Sequence, residues 1–179
     1  MTSMAKGDEA QFDAAKNITT IAGNRIVFHC HHYNVFLQRT IDEALGEGAA
    51  TVQRLAATEA SRKLLGDLFG GEPAGEARER FERAAKLFGS LGFGLADIGG
   101  LTGFGGSVVL RTSHYAIGWR AKFGPASAAV CHFAVGYWAA AVAAAAGIAP
   151  ERVIAVERGC AAVSPDGDAE SCSIDIEVL

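Results

Sequence analysis

Hydrophobic positions along this chain change period several times, and each change predicts a change of element. Residues 1–16 are polar and small, the pattern of a frayed terminus, so one domain is expected over 17–179. Asn24-Arg25 leads into IVFHCHH, where β-branched Ile26 and Val27 predict a short strand or a strand-to-helix entry. From Tyr33 onward Val35, Phe36, Leu37, Ile41 and Leu45 recur at helical spacing, until Gly46 and Gly48 end the run. A second helix is predicted over 49–69, with Val52, Leu55, Leu64, Leu65 and Leu68 as its apolar stripe. GGEP at 70–73 reads as a loop. A third helix over 74–91 is charged on one face and buries Phe81, Ala84, Ala85 and Phe88 on the other.

At Gly92 the period switches to alternation. Two strands, 93–98 and 106–112, are joined by GGLTGFGG. That loop lacks the Lys-Ser/Thr pair of a phosphate-binding loop and precedes a strand, so it is expected to be a hairpin turn. An alanine-rich helix then begins near Pro125 and ends at Gly147 and Pro150. Strands 152–163 and 171–178 flank SPDGDAE, whose Asp-Gly marks a turn. Strands follow strands and helices follow helices, without βαβ alternation. This predicts an α+β fold, with helices packed on one side of a twisted antiparallel sheet of about four to five strands. There is no internal repeat and no low-complexity linker.

Composition narrows the function classes. A chain of 179 residues suits one domain with a core of its own. Its net charge of −4 and scattered Lys and Arg give no basic face for nucleic acid. The opening MTSMAKGDEA has no apolar run of signal-peptide type, so a cytoplasmic location is expected, where thiols stay reduced. Residues 126–149 carry no charge and are long enough to cross a bilayer. They are mostly alanine, however, and insertion is driven by Leu, Ile, Val and Phe at about −0.3 to −0.6 kcal/mol each. No membrane span is expected; the segment reads as a helix buried in protein or at a subunit interface.

The chemistry concentrates near the C-terminus. Three of the four cysteines, Cys131, Cys160 and Cys172, lie there, with Glu157 three residues before Cys160. Three soft thiolates and one carboxylate form a four-coordinate donor set suited to structural zinc, tying helix to hairpin. In a regular strand Glu157 and Cys160 would face opposite ways, and Gly159 is the residue able to permit a bulge that reunites them. Four ligand charges against two on the metal call for donors nearby, for which Arg152, Arg158 and backbone N–H groups are candidates.

SLGFG (90–94), VVLRTSHYA (108–116), VCHFAVGYWAA (130–140), VIAVERGCAAV (153–163) and AESCSIDI (169–176) together resemble the 4-vinyl reductase domain family. That family includes sensor domains of phenol- and toluene-responsive transcription activators, proteins associated with bacteriochlorophyll synthesis, and a related fold in vesicle-tethering subunits. The resemblance runs from about residue 23 to the end. It implies an α+β domain, often a dimer, that binds an apolar or aromatic small molecule, with a structural zinc on Cys131, Glu157, Cys160 and Cys172. It also implies a ligand near the segment before Cys131, where His114 and Trp119 stand. Phe133, Tyr137 and Trp138 on the alanine-rich helix, and Phe28, Tyr33 and Phe36 near the first helix, are candidate walls. SPDGDAE is longer than the family's usual turn, which bears on Cys172. No ATPase or DNA-binding domain is attached, so transcription activation does not carry over from the resemblance.

HCHHYN is not explained by the resemblance. Along a strand His29 and His31 share one face and Cys30 and His32 the other; on a helix His29 and His32 align. These four residues could hold a second transition metal or haem iron, or supply an acid and a base near neutral pH. Three functions follow. The first is a small-molecule-binding domain, apolar, aromatic or tetrapyrrole-like in preference, with structural zinc and a homodimeric state. The second is a metal- or haem-dependent enzyme or cofactor carrier using His29 to His32. The third is a dimeric assembly or adaptor protein.

Overall fold

The computed structural model of the chain describes residues 10–21, 23–70, 77–164 and 170–179. The expectations for residues 1–9, for most of the GGEP loop and for most of SPDGDAE lie outside them.

Eight strands and five helices are seen among the described residues. Three short strands open the chain: β1 (Gln11–Asp13), β2 (Ile18–Ile21) and β3 (Asn24–Ile26). They pair antiparallel in that order as a small sheet. The sequence reading took residues up to 16 as frayed, but Gln11–Asp13 is a strand. The turn after it is held by the Asp13 carboxylate, which accepts from the backbone N–H of Ala15 and Lys16. This local capping by a short polar side chain leaves no hydrophobic signature.

The helices α1 (His31–Leu45), α2 (Ala49–Phe69) and α3 (Ala77–Ser90) follow. The main sheet is built from β4 (Gly94–Asp97), β5 (Leu101–Thr102), β6 (Gly105–Ser113), β7 (Val153–Gly159) and β8 (Cys172–Val178). Its order is β4-β6-β8-β7, with β5 paired to β6, and all pairs are antiparallel. The expected α+β sheet is therefore present, and the small N-terminal sheet is additional. The glycine-rich connection is the expected hairpin, with Leu101 opposite Gly106 and Thr102 opposite Gly105. Along β6, Val108 and Leu110 are buried while Val109 and Arg111 are exposed, so one face meets the helices and the other is open.

Helix α4 (His114–Phe123) was not anticipated. Ser113 caps it by accepting from the Ala116 N–H at 3.4 Å, and Gly124, at φ 78°, closes it. The Ser and Gly are legible as cap signals, but HYAIGWRAKF has no one-sided apolar stripe to go with them. The alanine-rich helix α5 spans His132–Ala146, later than the expected start near Pro125. Residues 124–131 are an irregular segment instead, tethered by Ala126 N–H to the Ala162 carbonyl at 2.7 Å. Cys131 accordingly sits at the N-cap of α5 and not inside its first turns.

Helix α5 is the centre of the core. Tyr137, Trp138, Ala140, Ala141 and Val142 are fully buried, and the Tyr137 hydroxyl donates to the Ala84 carbonyl at 2.7 Å. Its principal neighbour is α2. The face α2 turns inward is Ala57, Ser61, Leu65, Leu68 and Phe69, whereas Val52 and Leu55 of the predicted stripe are exposed. Small residues decide the face, because two helices approach closely only where neither carries bulk. On α1 the buried positions are Val35 and Gln38; Phe36, Leu37 and Leu45 lie open. No helix among the described residues is long and apolar enough to cross a membrane.

Candidate functional site

The four metal-ligand candidates come together. Sγ of Cys131, Cys160 and Cys172 and a carboxylate oxygen of Glu157 all lie within 4.8 Å of one another. Among the described residues this is the one group of three or more His, Cys, Asp or Glu gathered so closely. The strands supply the geometry. β7 pairs Glu157 with Ile174 and then Gly159 with Ser173, so one residue is skipped between them. That bulge cancels the alternation that would have separated Glu157 from Cys160. Cys172 begins β8, and Cys131 enters from the N-cap of α5.

The Cys131 and Cys172 sulfurs are 3.5 Å apart. A regular tetrahedron with Zn–S of about 2.3 Å has an S–S edge of ~3.8 Å. One carboxylate oxygen of Glu157 accepts from the Cys131 N–H at 2.9 Å, while the other is buried with no partner. A buried carboxylate oxygen left unsatisfied is costly unless something charged meets it. The protonation states point the same way. Burial, reinforced by the Cys160 thiol, pushes Glu157 up to about 8. Hydrogen bonds to Cys160 and Cys172 push Cys131 well above the thiol range, and hydrogen bonds from Cys131 and Cys160 draw Cys172 down to about 4. The donors compete for one negative charge, the condition that a divalent cation relieves. The donor set and spacing fit zinc.

The expected supporting cations are elsewhere. Arg152 donates to the Leu179 carbonyl, and Arg158 pairs with Asp175 at 3.3 Å on the surface. The cluster is served by neutral donors: the Cys131 N–H, the Ala161 N–H at 3.3 Å from Cys172 Sγ, and the Ser113 hydroxyl at 3.1 Å from Cys131 Sγ. They suffice because N–H and O–H groups aimed at sulfur stabilise thiolates at little desolvation cost.

The four residues of the HCHHYN cluster diverge. Cys30 is the N-cap of α1, its sulfur accepting from the Tyr33 N–H at 3.4 Å. His29 packs edge-on against Tyr33, and His32 contacts Lys122. His31 reaches α4, where its Nδ1 lies 3.2 Å from Nδ1 of His114. Burial lowers the pKa of both rings, so near neutral pH one donates and the other accepts.

Of the candidate ligand-site residues, Trp119 lines a cavity of about 680 Å³ between α1, the start of α2, α4 and the segment before Cys131. Phe123, Ala126 and Val130 complete its apolar wall, and Asp42, Arg54 and His132 supply polar groups. Phe133 borders a separate hollow of about 250 Å³ with Tyr115 and Gln38, and stacks on Phe93 at 4.0 Å. Tyr137 and Trp138 are core residues packed on Phe88. His114 is half-buried beside Phe93; Phe28, Tyr33 and Phe36 are exposed, and none of the four borders either cavity.

Sequence reasoning passed over Asp42, Arg54 and His132. His132 was legible as the neighbour of Cys131, one side chain entering the four-donor cluster and the next lining the cavity. Its Nε2 is 3.8 Å from the Asp42 carboxylate, and its Nδ1 is buried without a partner. Burial, then the Arg54 charge, holds the His132 pKa down to about 4, against an ordinary value of 6.5. The unfolded chain therefore takes up a proton that the folded one refuses. The contribution is full above pH 6.5 and declines as pH falls from 6.5 towards 4. A plot of denaturation midpoint against pH is expected to slope less over this window in His132→Gln than in the parent.

No family model matches the sequence, and no curated protein matches it. Among solved structures, the chain is similar to the crystal structure of the phenol-responsive sensory domain of the transcription activator PoxR with phenol. The two are 18% identical, and the match covers 94% of this chain and 84% of that one at a TM-score of 0.72. The chain thus shares the fold of that domain.

Proposed function

We propose that this chain is a small-molecule-binding domain of the 4-vinyl reductase type, in which one zinc ion clamps α5 to the C-terminal hairpin and an apolar or aromatic ligand fills the cavity beside Trp119. The observation that carries the reading is the adjacency of Cys131 and His132. The first belongs to the four-donor cluster and the second to the cavity floor. Zinc on Cys131, Glu157, Cys160 and Cys172 would fix the start of α5, and with it Val130 and His132. Its role would be structural, since four protein ligands leave no open position. The cavity's volume, apolar wall and few convergent polar groups are those of a ligand site. The fold shared with a domain solved with phenol supports an aromatic occupant. A homodimer, as the sequence leads one to expect, would have the exposed Val52 and Leu55, which share one face of α2, available to a second copy.

Fluorescence tests the ligand reading. Of the two tryptophans, Trp138 is fully buried and Trp119 lines the cavity. Titration with 2-naphthol is expected to change the emission of Trp119 saturably, and Trp119→Phe to abolish that change. A flat titration, or one unaltered in Trp119→Phe, would count against the cavity as the ligand site. Zinc measured on the same preparation is expected at one per chain.

A further inference from the structure

We infer that the cavity selects a ligand bearing a carboxylate on an aromatic body of about two rings, with Arg54 as its anion-binding group. The inference rests on the reading above that this cavity is the ligand site. Arg54 lines the cavity, and its Nε is buried with no hydrogen-bond partner. Among the described residues its guanidinium forms neither a hydrogen bond nor an ion pair, although three carboxylates border the same space. Each of those is accounted for. Glu43 is held by Arg39 at 2.7 Å, Glu47 is exposed at the rim, and Asp42 accepts from Gln53 at 2.7 Å. The other cation of the cavity, Arg39, is also committed, lying over the Phe123 ring at 4.2 Å.

A half-buried guanidinium without a counter-charge is costly as it stands, and a planar carboxylate matches the fork of its two terminal nitrogens, which are not among the buried unpartnered atoms. His132, whose side chain is only 7% exposed, lines the same space, and its Nδ1 is buried with no hydrogen-bond partner. Trp119 and Phe123, in edge-to-face contact at 5.2 Å, line the same space together with Val130. At about 680 Å³ the space is generous for a single ring, which is why the body is put at two. A neutral phenol would leave Arg54 as it is now.

Calorimetric titration of the full chain with 2-naphthoate and its neutral near-isostere 2-naphthamide tests this. In the parent, naphthoate is expected to bind about 10- to 100-fold more tightly, the range for a charge-assisted hydrogen-bonded pair. In Arg54→Gln, with zinc content and melting temperature as checks on folding, that preference should vanish while naphthamide binding persists. Equal affinities in the parent, or a preference that survives in Arg54→Gln, would overturn the inference and leave the cavity standing as a ligand site. Binding of neither compound would remove the site along with it. Because the parent alone discriminates the two compounds, a variant that fails to fold does not spare the idea.

Discussion

Cys131→Ser is expected to purify without stoichiometric zinc and to melt at least about 10 °C below the parent. The magnitude separates two accounts of the same buried residue. If Cys131 were only a thiol in the core, a hydroxyl in its place beside Ser113 would cost about 1–2 kcal/mol, or about 2–8 °C for a domain of this length. Structural zinc sites contribute much more, on the order of 10–16 kcal/mol of apparent binding energy in small peptides. Losing even ~4 kcal/mol of that lowers the melting point by about 8–16 °C. The α5 helix amplifies the loss, because Cys131 is its N-cap and most of its residues are buried. Cys30→Ser is the matched control. Cys30 is exposed and caps α1 through its sulfur, a task serine performs at least as well, so its zinc content and melting temperature should equal the parent's. Calorimetry with metal analysis reads both variants. A melting point for Cys131→Ser within a few degrees of the parent, with zinc retained, would defeat the clamp.

Gly136→Ala should destabilise the protein by about 2 kcal/mol, although alanine is the better helix former by ~1 kcal/mol. Gly136 lies on α5 where it crosses α2. A methyl group there would meet the Arg54 carbonyl, approach Ala57 Cβ to 2.7 Å and reach Thr58 N at 2.9 Å. Backbone atoms cannot swing aside, so the helices must part, and Arg54 would move with them. Gly66→Ala provides the opposite sign. Gly66 sits inside α2 with nothing within 4 Å of an added methyl, so it should gain about 0.5–1 kcal/mol from propensity alone. Urea denaturation of the pair decides the point. Equal shifts in one direction would mean that the close contact of α2 with α5 does not exist in solution.

These two sites also show what the sequence could and could not reveal. The four-donor cluster was legible because cysteine chemistry announces itself and because Gly159 marked where a bulge had to occur. The bulge between Glu157 and Gly159 is the physical reason the spacing works. The supporting charges were misjudged: Arg152 and Arg158 found the chain end and Asp175, since a hydrogen-bond donor need not be charged to serve a thiolate. The first three helices and β4, β6, β7 and β8 followed from period, whereas β1, β2 and β5 are too short to show one. Helix α4 did not, because its apolar residues surround it and only its caps gave notice. On α2 the expected Leu65 and Leu68 are buried, but Val52 and Leu55 are not, because the small Ala57 lies against α5 at the contact instead. Of the polar groups lining the cavity, only His132 was within reach, as the neighbour of Cys131. Asp42, Arg54 and His132 come from three helices, and no spacing rule connects them.

X-ray absorption at the zinc edge, on protein purified without chelators, bears most directly on the clamp. One zinc per chain with a shell of three sulfurs at about 2.3 Å and one oxygen at about 2.0–2.2 Å is the predicted spectrum. Protein isolated without zinc, or zinc bound by nitrogen and oxygen alone, would contradict it.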